Sequence, residues 1–199
     1  MRSRKVWLPQ DIYQIKVTLL GTRPPIWRRL LVPAGLTLEV LHDVLQVAMG
    51  WDDSHLHEFR IGQERFGKSD RRDRLLGGDP IGNERKTHLY RVLGKVGAKA
   101  VYSYDFGDSW EHAVVVEKVL PPEPALSYPL CVGGKLHGPP DDCGGIPGYY
   151  NLVEAIGDPT HPEHEELLNW VGGEFDPEAF SVKDVNQRLA PIQRWWAKG

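Results

Sequence analysis

Residues 100–120 read AVYSYDFGDSWEHAVVVEKVL. Two runs rich in Val and Tyr, Ala100–Phe106 and Ser109–Leu120, flank the turn-forming pair Gly107-Asp108. Such a pattern predicts an antiparallel hairpin, ended by Pro121, Pro122 and Pro124. If Gly107-Asp108 is a two-residue turn, Phe106 faces Ser109, Asp105 faces Trp110 and Ser103 faces His112. Ser103, Asp105, Trp110 and His112 then share one face of the sheet. Asp105 and His112 become diagonal neighbours, roughly 7–8 Å apart at the backbone. A carboxylate beside an imidazole raises its pKa and fixes its tautomer, which suits general-base work or metal ligation. The same pair also reads as a buried contact that pins strand register. A turn longer by one residue would put Asp105 and His112 on opposite faces.

Outward from this hairpin, residues 12–32 form a second one. Ile12 to Leu20 alternates apolar and polar, Gly21-Thr-Arg-Pro-Pro25 is a turn signal, and Ile26 to Val32 returns. Thr37 is placed to cap a helix with Leu38, Leu41, Val44, Leu45, Ala48 and Met49 on one face, stopped by Gly50. Ser54 to Ile61 reads as a strand, with His55, His57, Phe59 and Ile61 on one side. Residues 62–86 are polar, carry Arg71, Arg72, Asp73 and Arg74 among glycines, and read as a long mobile excursion. Thr87 to Lys95 suggests a short helix. Residues 129–148, PLCVGGKLHGPPDDCGGIPG, read as a long loop of the kind that often carries function. Helices are expected from Tyr149 to Ile156, from Pro162 through Trp170, and after Ser181, the last kinked or ended by Pro191. The expected fold class is α+β: a mainly antiparallel sheet built from hairpins, with helices packed against it and a helical C-terminal part. One domain is expected over residues 1–199, with its core at about 11–190.

Composition narrows the function classes. With 41% hydrophobic residues and seven Trp the chain can build a sizeable core. No apolar run approaches the roughly 20 residues of a membrane span, and the basic N-terminus lacks the apolar stretch of an export signal. A cytoplasmic protein without a membrane partner is expected. Two cysteines, Cys131 and Cys143, are too few for a disulfide scaffold and read as thiols. Charge is divided along the chain. Residues 1–99 hold 18 Lys/Arg against 11 Asp/Glu, and residues 100–199 hold 6 against 16. Either the basic half has a partner or the two halves interleave and their fields cancel in part.

The polar candidates follow from these placements. His55 and His57 are spaced as two strand ligands could be. Asp141, Asp142 and Cys143, between glycines and prolines, could hold a cation, cap the next helix or close an Asx turn. The candidate pocket is therefore His55, His57, Ser103, Asp105, Asp108, Trp110, His112, Asp141, Asp142 and Cys143. Its candidate ligands for a divalent metal are His55, His57, Asp105, His112 and Cys143. Arg23, Trp27, Arg28 and Arg29 are the candidates for nucleic acid, although the strand period sends Arg28 and Arg29 to opposite faces. No GxxxxGK[ST], GxSxG or HExxH occurs.

Five stretches also carry a family likeness: IYQIKVTLLGTRPPIWRRLLVP (12–33), WDDSHLHEF (51–59), YSYDFGDSWEHAV (102–114), CVGGKLHGPPDDCGGIPGYYNL (131–152) and FDPEAFSVKDVNQRL (175–189). With its YDFGDxWxH and PPDDCGG strings, the chain resembles the plasmid Ri ORF-three-like family, some of whose members are labelled transposon-passenger or TnpR-like. The resemblance implies an α+β fold and a link to mobile elements, and it brings no activity with it. Neither an activated Ser amid arginines nor a Tyr with an Arg/His set, the needs of the two recombinase chemistries, is evident. The first expectation is an accessory or binding protein without a catalytic signature. The alternative is a small metal-dependent or acid/base enzyme using a His/Asp/Cys cleft. A third is a module whose acidic half docks a basic partner.

Overall fold

A computed structural model describes residues 8–68 and 81–197. The N-terminal hairpin forms as the alternation predicts: β1 (Ile12–Leu19) pairs with β2 (Trp27–Pro33), Ile15 opposite Leu30. Tyr13, Ile15, Val17 and Leu19 of β1 are buried, as are Arg28, Leu30 and Val32 of β2, because period two sends them all inward. Helix α1 (Leu38–Met49) lies next. The Thr37 side chain accepts from the Val40 N–H, and Gly50 ends it at φ 98°, where a Cβ would be strained.

The remaining strands complete one sheet. They are β3 (His57–Ile61), β4 (Glu64–Gly67), β5 (Gly82–Asn83), β6 (Lys99–Tyr104), β7 (Trp110–Leu120) and β8 (Leu130–Lys135). Their order is β5-β4-β3-β6-β7-β1-β2-β8, antiparallel except for the short β4–β5 pair. The short α2 (Leu89–Val92) precedes β6, and α3 (Gly145–Gly157), α4 (His164–Trp170) and α5 (Val182–Trp196) follow β8. The fold is α+β with a mostly antiparallel sheet and a helical C-terminal part. Its core is the inward row of the sheet against α1, with Val185 and Leu189 of α5 closing it.

Several local expectations change. The 62–86 stretch supplies β4, β5 and a 3₁₀ turn at Glu84–Lys86 within its described part. Its Arg71–Arg74 cluster lies outside the described residues. The 129–148 loop contains β8, whose Leu30↔Cys131 pairing extends the sheet, and α3 begins at Gly145 rather than Tyr149. Pro191 does not end α5, which runs on to Trp196. Buried contacts from Val185 and Leu189 hold this helix where propensity alone would interrupt it.

Strand β8 needs glycine at one point. A Cβ on Gly134 would overlap the Phe180 ring, which lies over that strand and over the Arg28 guanidinium, 4.5 Å from the ring centroid. Gly134→Ala is expected to cost about 1–3 kcal/mol, because ring and backbone must both give way. Urea unfolding of the two proteins measures it, and an unchanged midpoint would contradict the packing.

Candidate functional site

The central hairpin turns over five residues rather than two. Tyr104 pairs with Trp110, Ser103 with Glu111 and Tyr102 with His112, a register one residue away from the two-residue expectation. Asp105 and Ser109 take left-handed conformations (φ 54° and 58°), and the Ser109 N–H closes the turn on the Asp105 carbonyl at 2.6 Å. Asp tolerates that conformation because its short polar side chain bonds locally, and here Asp105 Oδ1 accepts from the Gly107 N–H. The shift separates the expected pair. His112 points into the core with Tyr102, Tyr104 and Trp110, Ser103 faces the other side, and Asp105 stays at the turn.

His112 is wholly buried, its Nδ1 3.3 Å from the Tyr102 carbonyl. Burial pushes its pKa down to about 4, so the ring is neutral. Trp110, also wholly buried, lies with Trp51 and Tyr104 in an aromatic floor.

His55 and His57 part company as well. β3 starts only at His57, leaving His55 in the preceding loop. His57 stacks on His42 of α1, centroids 3.4 Å apart and planes within 8°. Its Nε2 bonds Glu84 Oε2 at 2.8 Å. His42 Nε2 bonds Asp53 Oδ1 at 2.7 Å and its Nδ1 meets the Tyr102 hydroxyl at 2.7 Å. Gln46 Nε2 donates to that hydroxyl, so the hydroxyl proton goes to Nδ1 and the His42 proton sits on Nε2. Burial first, then His57, pushes His42 down to about 4. His42, Asp53 and His57 present ligand atoms within 4.8 Å of one another. Face-to-face rings nonetheless suit an ion badly, because lone pairs lie in the ring planes and these planes run parallel 3.4 Å apart. An ion in one plane lies well outside the other. We read this group as a buried polar joint between α1, β3 and the Glu84 turn.

A different set converges at the sheet's end. His55 Nε2 lies 3.1 Å from Asp142 Oδ1 and 3.7 Å from Asp105 Oδ2, and the three ligand atoms all fall within 4.8 Å. The His55–Asp142 approach lacks hydrogen-bond alignment, and His55 Nε2 is buried without a hydrogen-bond partner among the described residues. The three residues come from separate segments: the loop before β3, the hairpin turn, and the Gly/Pro-rich loop before α3. Asp108 ties turn to loop, its Oδ2 accepting from the Gly144 N–H at 3.0 Å. Gly145 must be glycine-like there, since a Cβ would strike the Asp108 carbonyl. Asp142 is itself left-handed (φ 59°). Beside it, the Asp141 carboxyl is pushed up to about 6, by burial first and then by the neighbouring Asp52 carboxylate. Cys143 is pushed up to about 12, by burial first and then by Asp108, so it stands as a neutral thiol.

Of the predicted candidates, His55, Asp105 and Asp142 therefore meet, with Asp108, Asp141 and Cys143 around them. His57, Ser103, Trp110 and His112 lie elsewhere. The sequence reading missed His42, Asp53 and Glu84. One signal was available: His42 and Gln46 sit four apart on a helix face that is otherwise apolar.

The arginine candidates do not form one surface. Arg28 is buried at 3% exposure. Arg29 is held by Glu117 through two bonds of 2.7 and 3.0 Å and leans on Trp27 on the outer face of the sheet. The Arg23 N–H bonds the Tyr150 hydroxyl in the β1–β2 turn.

Fold and site together define a class: an α+β protein whose sheet, eight-stranded over the described residues, carries a His/Asp/Asp cluster at a hairpin tip. The family model described as "Plasmid pRiA4b ORF-3-like protein" matches residues 11–184, and the chain belongs to that family. It is 38% identical over 190 residues to the uncharacterized protein y4hQ of Sinorhizobium fredii, covering 94% of this chain and 95% of that one. It also resembles the crystal structure of the protein of unknown function MM3350 from Methanosarcina mazei Go1. There the TM-score is 0.79 at 37% identity, over 87% of this chain and 97% of that one. Neither name specifies a reaction.

Proposed function

We propose that this protein binds a divalent cation through His55, Asp105 and Asp142. The carrying observation is the convergence of three ligand atoms from three separate segments within 4.8 Å. Donor atoms at about 2.0–2.2 Å from an ion lie about 3.0–3.5 Å from one another, and the separations from His55 are 3.1 and 3.7 Å. One imidazole nitrogen and two carboxylate oxygens suit Zn²⁺ or Mn²⁺ better than Ca²⁺, which takes oxygen donors alone. Three protein donors leave positions for water, where a bound ion can polarise an oxygen. The reading also fits a cytoplasmic location, since Cys131 and Cys143 are both free thiols. No helix among the described residues is long and apolar enough to cross a membrane.

Protein purified without chelator or nickel resin is expected to take up one Zn²⁺ or Mn²⁺ per chain, read by titration calorimetry and elemental analysis. His55→Ala removes that uptake and the accompanying rise in melting temperature. No uptake by the wild-type protein, or full uptake by His55→Ala, would overturn the proposal.

A further inference from the structure

A second site, away from the cation cluster, is marked by a charge with no counterion among the described residues. Arg28 projects from the inward face of β2 into the protein, where the rest of its row is apolar. Its Nε donates to the Ala48 carbonyl at 2.7 Å, and Nη1 donates to the carbonyls of Trp27 and Lys135 at 2.9 and 3.1 Å. Those bonds use three of five N–H donors. The two on Nη2 have no acceptor among the described residues, and no carboxylate there lies within ion-pair distance of Arg28. Burying a cation is costly unless an anion answers it, and neutral carbonyls answer this one only in part.

The guanidinium opens on a pocket of about 450 Å³, a size typical of small-molecule sites. A second cation, Arg188 of α5, lines the same pocket, exposed and with no hydrogen bond or ion pair among the described residues. Both arginines line it, and the charge of Arg188 is felt at Arg28. Arg28 is pushed down to about 10, chiefly by burial, and stays charged at neutral pH. The amino end of α5 borders the cavity through Ser181 and Asp184 and adds the positive end of a 15-residue helix. Among the described residues of the lining Asp184 is the one carboxylate, so two cations outweigh a single anion. Met49 and Phe180 supply an apolar wall. His137 also lines it, donating its Nδ1–H to the Gly138 carbonyl at 2.6 Å.

We propose that this pocket binds a small molecule bearing an oxyanion, a phosphate monoester or a carboxylate, whose anionic group bridges Arg28 and Arg188 and whose apolar body lies on Phe180. A planar guanidinium presents its N–H donors in a fork that fits either oxyanion. Asp184 is placed to accept a hydrogen bond from a ligand hydroxyl or amine. No residue is shared with the cation cluster, so either site can fail without the other.

The test is titration calorimetry with phenyl phosphate and with benzoate, which share a ring and differ in the anion. Saturable binding of either in the millimolar range or tighter is expected, weakening with added salt. Binding of one probe alone assigns the ligand class. Arg188→Gln, on the exposed face of α5, is expected to weaken binding by about tenfold or more, since it removes a charge-assisted hydrogen bond. It should leave Zn²⁺ or Mn²⁺ uptake unchanged. No saturable binding of either probe, or equal affinity in Arg188→Gln, would overturn the proposal.

Discussion

Replacing His112 with Phe is expected to flatten the acid sensitivity of this protein by about 3 kcal/mol. In the native state His112 is wholly buried and pushed down to about 4, with burial the largest cause, against 6.5 for an exposed ring. Its folded pKa lies below its unfolded one, so on acidification the unfolded chain takes up the proton first. The contribution of the neutral ring is fully present above pH 6.5 and is lost as the pH falls toward 4. At about 1.4 kcal/mol per pH unit, the window removes about 3 kcal/mol. Asp43 and Asp141, both pushed up to about 6 by burial, act with the opposite sign over part of the same range. They are common to both proteins and cancel in the comparison. Urea unfolding of wild type and His112→Phe at pH 7 and pH 4 measures the double difference. Equal pH dependence in the two proteins would show that the buried ring does not titrate as its surroundings require.

Glu84→Ala is expected to cost about 3 kcal/mol or more, although it lies in a stretch whose composition suggests a solvated loop. Glu84 is 1% exposed, and its Oε2 holds the Nε2 of His57, whose side chain is wholly buried. Truncation leaves that donor without an acceptor at the joint where His57 stacks on His42. Removing one partner of a buried ionisable pair generally costs about 3–5 kcal/mol. Glu84→Gln keeps a carbonyl oxygen at the same place and should recover much of the loss. Denaturant unfolding of the three proteins decides it. A Glu84→Ala cost within about 0.5 kcal/mol, the usual range for a surface change, would mean that the carboxylate does not hold His57.

Glu84 shows where local reading stops. Around it the chain is polar and glycine-rich, and only the arrival of β3 and α1 from distant sequence turns the residue inward. Arg28 is the opposite case. The alternation Ile26, Arg28, Leu30, Val32 already puts it on the core face, yet its lack of a counterion among the described residues and the Arg188 charge beside the same pocket emerge only once α5 is docked. The central hairpin is intermediate. Both strands follow from the Val- and Tyr-rich runs, but the one-residue register does not. A five-residue turn with Asp105 and Ser109 left-handed competes with a two-residue turn through energies too small and too local to read from composition.

The sequence by itself determined the α+β class, the hairpin over residues 12–32, the caps on α1 and α5 at Thr37 and Ser181, and the family strings around the turn at 105–109. These depend on periodicity and on residues within a few positions of each other, and such interactions are written in order along the chain. Tertiary structure decided which histidine meets which carboxylate. His55 joined Asp105 and Asp142, His57 joined Glu84, and His112 was left neutral in the core. Those pairings join residues up to 87 positions apart in the sequence. They rest on where the loop before β3 and the loop before α3 come together at the hairpin tip, which the packing of the whole sheet and its helices sets.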